Sequence, residues 1–179
     1  MTLLAPRRKT RVLDVGGVQI GGQNPIRVQS MATADTRDPK ATLAQIEDLA
    51  SVGCEIVRIA VPDRKAAAAL PEIVPYAAVP LIADIHFERT LALKALDAGI
   101  HGLRLNPGNI RKAEDVREVV AKAKERGVPI RIGVNFGSVA PMTPEFVDEM
   151  ARENATQVEL RAEWLVRSAL GHIQILEDL

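Results

Sequence analysis

Five short apolar runs, each about as long as one strand, constrain the fold of this chain more than any other feature. They are rich in Val and Ile, and helix-patterned segments separate them. The runs recur roughly every 21 to 30 residues, an alternation that is typical of a parallel sheet covered by helices. The predicted strands are 26–31, 55–61, 80–86, 102–106 and 129–135.

Start and stop signals bound the helical segments between these strands. Asp38 and Pro39 open the first segment and Gly53 closes it, as an N-cap, a first-turn proline and a terminating glycine do. The other predicted helices are 62–74, 90–98 and 111–126. The second of the four segments is rich in alanine but contains Pro71, a residue that interrupts helices.

Two segments lie outside this alternation. Residues 12–15 and 18–20 flank a Gly-Gly pair and predict a short β-hairpin that plugs one end of the sheet. Residues 140–179 predict one or two helices, with a break near Asn154 and Thr156. We expect the last part of this segment to carry a buried apolar stripe. Its members are Leu165, Leu170, Ile173 and Leu176.

Two architectures accept five βα units: an open doubly wound sheet, or the first five units of an eight-unit (β/α) barrel of the TIM type. An open sheet usually carries a glycine-rich phosphate loop after its first strand, but that loop here, 32–36, contains no glycine. Polar residues follow all five strands instead, which favours the partial barrel. Because a full barrel needs about 250 residues, we expect a single domain over 1–179 that leaves one sheet edge unpaired.

Three arginines are the strongest chemical signal in the sequence. Arg58, Arg104 and Arg131 each lie within a predicted strand that helices should cover. A guanidinium in such a place needs a carboxylate or a bound anion, because burying an unpaired charge is prohibitive. Three of them at one mouth suit a diphosphate, whose oxygens match the guanidinium fork. The alternative is structural: Arg58 or Arg131 pairs with Glu55, Asp84 or another carboxylate in the same layer and ties the barrel together.

Other candidate site residues end the third, fourth and fifth predicted strands. Asp84 and His86 lie two apart and therefore share a face, where a carboxylate could orient an imidazole that acts as a general acid. Asn106 and Asn135 place amides before glycine-containing turns, on the same faces as Arg104 and Arg131. Turn formation alone accounts for the glycines but not for the amides.

Composition excludes several classes of protein. Lys plus Arg equals Asp plus Glu, at 23 each, so no overall charge points to nucleic acid or a membrane surface. The first twenty residues lack the apolar run of a signal peptide, and the apolar runs are far shorter than a membrane span, so we expect a cytoplasmic protein. The single cysteine, Cys54, has no neighbour with which to share a metal, and we interpret it as a small buried apolar residue. No metal site is predicted.

Five ordered motifs resemble successive blocks of a known enzyme family. They read PIRVQSM at 25–31, EIVR at 55–58, PLIADIHF at 80–87, LRLNPGNI at 103–110 and PIRIGVN at 129–135. The sequence is similar over 8–138 to the 4-hydroxy-3-methylbut-2-enyl diphosphate synthases, also called IspG or GcpE, and more weakly over 168–178. The segment 140–167 departs from the usual pattern of that family.

The resemblance implies a reaction of the non-mevalonate isoprenoid pathway. It is the two-electron reductive ring opening of 2-C-methyl-D-erythritol 2,4-cyclodiphosphate to the linear hydroxymethylbutenyl diphosphate, with loss of water. The resemblance further implies a diphosphate clamp, phosphate or hydroxyl contacts, and a supporting carboxylate. The clamp is Arg58, Arg104 and Arg131, the contacts are His86, Asn106 and Asn135, and the carboxylate is Asp84.

The family also implies parts that this chain does not contain. The first is a [4Fe–4S] cluster on a separate carboxyl-terminal domain. The complete enzymes of the family also use flavodoxin or ferredoxin as the electron donor and form homodimers. We therefore expect this chain alone to be inactive. Two other interpretations stay open at this point: a different phosphate-binding barrel, such as a pterin-binding synthase or a phosphosugar lyase, and a non-catalytic assembly module.

Overall fold

The computed structural model describes residues 8–85, 88–105, 113–137 and 139–179. Its centre is a parallel sheet of five strands, and the strands pair in the order in which they follow one another in the chain. A separate antiparallel hairpin precedes the sheet. The hairpin strands are β1 (Val12–Val15) and β2 (Val18–Gly21), and the sheet strands are β3 (Gln29–Met31), β4 (Ile56–Val61), β5 (Leu81–Ile85), β6 (Gly102–Leu105) and β7 (Ile130–Ile132).

The helices lie where capping signals predict them. Asp38 accepts a hydrogen bond from the backbone N–H of Ala41, and Asp63 accepts two at the start of the next helix, which satisfies donors that the helix leaves open. Pro71 lies inside the second helix rather than ending it. The helices are α1 (Pro39–Ser51), α2 (Arg64–Ile73), α3 (Arg89–Asp97), α4 (Ala113–Glu125), α5 (Pro144–Arg152) and α6 (Gln157–Glu177), and a short 3-10 turn, Val74–Tyr76, follows α2.

The main core lies between the sheet and its helices. Residues of alternate parity in the strands, such as Val57, Ile59 and Leu103, are almost fully buried against the helices. The other side of the sheet carries three charged side chains, of Arg58, Asp84 and Arg104. The helices cover one side of the sheet, and the charged side chains that could bind a ligand lie on the other side.

The hairpin covers the amino-terminal end of the strands on that second side. Val15 is buried and packs against Ile56, the first residue of β4, and Ile82, the second residue of β5. His101 lies beside it, and a side chain at Gly16, whose φ is +59°, would collide with the imidazole. The hairpin thus closes the end of the sheet opposite to the strand carboxyl termini.

His101 should make folding stability depend on pH. Its Nδ1 accepts a hydrogen bond of 3.1 Å from the backbone N–H of Leu81, and burial lowers the pKa of His101 below its usual 6.5. The unfolded chain binds a proton at His101 more readily than the folded chain does. The stabilising contribution of the neutral His101 is therefore fully present above pH 6.5 and is lost as the pH falls through the lowered pKa of the folded state. We expect the urea midpoint to fall between pH 7.5 and 5.5.

The variant His101→Asn provides the comparison for that measurement. Its Oδ1 can accept the same bond from Leu81 but does not titrate. His172, whose pKa is also lowered by burial, is present in both proteins and so cancels. Identical pH dependence in the two proteins would contradict the assignment to His101.

The carboxyl-terminal segment forms two helices, as predicted, and the break lies at the predicted place. Asn154 adopts a φ of 54°, and Thr156 starts α6 through a capping box with Glu159. Of the helices in the described part of the chain, none is long and apolar enough to cross a membrane.

The predicted buried stripe on α6 is wrong. Leu170 is 59% exposed and Ile173 39%, while Leu165 and Leu176 are only partly buried. The reason is that α6 packs on α5 through another side of the helix. Leu160 and Trp164 lie there, in a small cluster with Phe146 and Met150.

Candidate anion-binding site

Strand register brings the charged side chains to one face of the sheet. Asp84 in β5 is the register partner of Arg104 in β6, and Arg104 is the partner of Arg131 in β7. Partners in a parallel ladder point to the same side, with strands about 4.8 Å apart. Arg58 lies one layer below, since Ala60, two residues further along β4, is the partner of Asp84.

Asp84 holds two of the arginines together. Its Oδ1 accepts a hydrogen bond of 2.9 Å from Arg104 Nη1, and its Oδ2 lies 3.4 Å from Arg58 Nε. The Asp84 side chain is only 5% exposed, against 26% for Arg58 and 16% for Arg104. One buried carboxylate therefore fixes the positions of two guanidinium groups.

This pairing realises part of the structural alternative for the arginines. Arg58 pairs with Asp84, as that alternative states, whereas Glu55 pairs with Arg27 at 2.7 Å and stays outside the cluster. Arg131 is exposed and forms no ion pair with the other described residues. Three guanidinium charges against the one carboxylate of Asp84 leave a formal charge of +2 on these four side chains. The cluster is thus suited to a dianion.

Two of the predicted residues, His86 and Asn106, lie outside the described residues, so their roles stay predictions. Asn135 is exposed and lies beyond β7, which ends at Ile132 rather than at the predicted 135. The chain turns at 136–137, and the N–H of Val139 returns to the Asn135 carbonyl at 3.1 Å. Asn135 therefore belongs to the turn after the strand.

Sequence reasoning missed two residues that contact the arginines. The Sδ of Met31 lies 3.0 Å from Arg58 Nη2 and 3.3 Å from Nε. Gly133, just beyond β7, lies directly beneath the guanidinium of Arg104. A methionine and a glycine carry no charge signal, but both occupy positions that share a face with an arginine, and that register argument would have found them.

The loop after β3 is organised by a side chain. The N–H groups of Thr33 and Ala34 both donate to Gln45 Oε1, at 2.9 and 2.7 Å. These N–H groups serve the loop itself in this structure. Because these two N–H groups are already bonded to Gln45, the arginines are the better candidates for binding an anion.

Comparison with known proteins decides the family. The model of the GcpE TIM-barrel domain matches residues 10–179. The chain belongs to that family. The predicted resemblance and the predicted α/β barrel class with its amino-terminal hairpin are both confirmed. The match also runs through 140–167, the segment that the sequence motifs left outside the resemblance.

Three curated relatives of this GcpE-family chain carry the same name. A protein of Magnetococcus marinus, named 4-hydroxy-3-methylbut-2-en-1-yl diphosphate synthase (flavodoxin), is 54% identical over all of this chain and 46% of its own length. Similarly named proteins of Maridesulfovibrio salexigens and Geobacter sulfurreducens are 51% and 54% identical over 97% of this chain, and over 51% and 46% of their own lengths. The chain spans about half the length of these relatives.

Solved structures agree on the fold alone. A truncated 3-deoxy-D-arabino-heptulosonate 7-phosphate synthase of Thermotoga maritima superposes with a TM-score of 0.54 at 16% identity, covering 89% of this chain and 53% of that one. A dihydropteroate synthase of Yersinia pestis superposes with 0.53 at 14% identity, over 88% and 58% of the two chains. At such low identity these matches concern the fold of the GcpE-family chain.

The described residues of this GcpE-family chain do not fit an iron–sulfur cluster. They contain no group of three His, Cys, Asp or Glu side chains that could hold a metal ion. Cys54 is buried at the amino-terminal end of β4, and its Sγ lies 3.1 Å from the carbonyl oxygen of Ile56. It packs as the small buried residue that its sequence context predicts.

Proposed function

We propose that this chain is the substrate-binding barrel portion, over 1–179, of a 4-hydroxy-3-methylbut-2-enyl diphosphate synthase. The substrate is 2-C-methyl-D-erythritol 2,4-cyclodiphosphate, which the complete enzyme opens by two-electron reduction with loss of water. The observation that carries the proposal is the pair of arginines held by Asp84, with Arg131 in register beside them. The names of the relatives support the reaction.

The arginines bind the diphosphate. Arg104 gives one N–H to Asp84, and a guanidinium carries five donors, so others can reach phosphate oxygens in pairs. Arg131 has no carboxylate partner among the described residues and contributes a full positive charge. Binding should therefore weaken as salt is added, because the attraction between charges is screened.

The remaining residues contact the phosphate and hydroxyl oxygens of the substrate. Asn106 and Asn135 donate amide N–H groups to phosphate or hydroxyl oxygens, and His86 donates a proton to a substrate oxygen. Asp84 positions the arginines and supports His86. These roles follow the family resemblance. Of the two residues that the structure describes, Asp84 is buried and Asn135 is exposed.

The electrons come from outside this chain. The family resemblance implies a [4Fe–4S] cluster on another part of the complete protein, which would supply them, with flavodoxin, which the names of the relatives mention, or ferredoxin as the donor. In the same proposal, the complete protein is a homodimer and is located in the cytoplasm. This chain's own task is to bind and orient the substrate.

Calorimetric titration with the cyclodiphosphate tests the binding role. The chain should release binding heat, and Arg104→Ala should weaken the affinity by roughly 10- to 150-fold, as the loss of charge-assisted hydrogen bonds worth about 1.5–3 kcal/mol implies. Arg126→Ala is the matched control, because Arg126 pairs with Asp97 at the opposite end of the strands. Equal affinity in Arg104→Ala and Arg126→Ala would overturn the proposed site.

A further inference from the structure

Gly133 occupies a position where the backbone does not require glycine. Its φ lies outside the left-handed range that seven other glycines of the described chain adopt. Its N–H donates to the carbonyl of Leu105 at 2.9 Å, which extends the ladder between β6 and β7 by one residue. An alanine can adopt such a conformation without strain.

The space above Gly133 is filled by Arg104. A Cβ built on Gly133 would lie 2.7 Å from Arg104 Cζ and 2.5 Å from Nη2, well inside contact distance. A guanidinium usually moves aside cheaply, but this one is 16% exposed and bonded to Asp84 at 2.9 Å. Moving it would stretch that bond or turn the fork away from its present direction.

The backbone at Gly133 cannot move away from Arg104 instead, because the strand ladder holds it in place. Gly133 is held against β6 by its own hydrogen bond, and it follows Arg131 by two residues in nearly extended chain. A methyl group at 133 would therefore project from the same face as Arg131, beside the guanidinium of Arg104. The absent side chain is what lets the two arginines share one surface.

We propose that Gly133 is a positioning residue for diphosphate binding. Because Gly133 has no side chain, the Arg104 guanidinium lies directly against its backbone while Asp84 holds Nη1, and these two contacts together fix its orientation. This inference rests on the proposed function for its ligand. The contact between Gly133 and Arg104 can be tested without that ligand.

The test is a double-mutant cycle with Gly133→Ala and Arg104→Ala, measured by titration with 2-C-methyl-D-erythritol 2,4-cyclodiphosphate. We expect Gly133→Ala to weaken binding about tenfold or more. In the Arg104→Ala background the same change should have no further effect. Gly171→Ala, in open space on α6, is the control and should bind as the unmodified chain does.

The urea midpoints of the same proteins give the second readout. Gly133→Ala should lower the midpoint when Arg104 is present and should not lower it in the Arg104→Ala background. An unchanged affinity, or an effect of Gly133→Ala that persists without Arg104, overturns the inference.

The two proposals fail in different ways. If the unmodified chain binds no cyclodiphosphate, the proposed function fails, and the urea midpoints alone decide on Gly133. If the effects of Gly133→Ala and Arg104→Ala on the urea midpoint are not additive, the contact between Gly133 and Arg104 is supported. Additive midpoints, or loss of folding by Gly133→Ala in both backgrounds, overturn it.

Discussion

Replacing Asp84 with asparagine is expected to lower the free energy of unfolding by about 3 kcal/mol. The change preserves shape but leaves Arg58 and Arg104 without their shared carboxylate, whose side chain is 5% exposed. Uncompensated charge in a buried place is what makes the loss of one partner so costly. Because both arginines retain some contact with water, we expect the lower end of the range for buried pairs. Urea denaturation at neutral pH measures the change.

Asp97→Asn is the matched control for Asp84→Asn. Asp97 also lies between two cations, Lys122 at 2.6 Å and Arg126 at 3.1 Å, and these hydrogen bonds and charges lower its pKa. Its side chain is 56% exposed, however, so water screens the pair and we expect a loss of about 1 kcal/mol or less. Similar losses in the two variants would refute the view that burial makes Asp84 special.

The second large effect is expected for Ile59→Ala, which should lower the free energy of unfolding by about 3 kcal/mol or more. Ile59 is fully buried in the main core and follows Arg58 in β4, on the side that faces the helices. Truncation leaves a cavity that a close-packed interior refills only in part. Thermal and urea unfolding both measure the loss.

Ile26→Ala removes the same atoms from a place where they are 87% exposed. Little apolar surface leaves water there on folding, so we expect a change within about 0.5 kcal/mol. A loss comparable to that of Ile59→Ala would mean that Ile26 is covered in solution. A small loss in Ile59→Ala would contradict the position of the core.

The sequence predicted most elements to within a few residues. Each strand of the sheet and each of the first four helices was located by apolar periodicity and capping residues, because those signals are local. Strands 26–31 and 129–135 were predicted too long: the observed strands are Gln29–Met31 and Ile130–Ile132. Runs of β-branched residues mark extended chain, but only pairing with a neighbour makes a strand.

Contacts between distant residues were predicted only as alternatives. Arg58 and Asp84 are 26 positions apart, and their ion pair depends on the register between β4 and β5. The contact of Gly133 with Arg104 was not predicted at all, and it depends in the same way on the register between β6 and β7. The error on α6 has a similar cause, since the apolar spacing of Leu170 and Ile173 describes a helix face without saying what packs against it.

By itself, the sequence determined the alternation of strands and helices, the hairpin, the family and the strands that carry arginines. Only the tertiary structure decided that one buried carboxylate, Asp84, joins Arg58 to Arg104 while Arg131 forms no ion pair with the other described residues. Helices and extended segments follow mainly from interactions between near neighbours in the chain. The charge of a site follows from which strands lie side by side and in what register, and that is settled when the whole core packs.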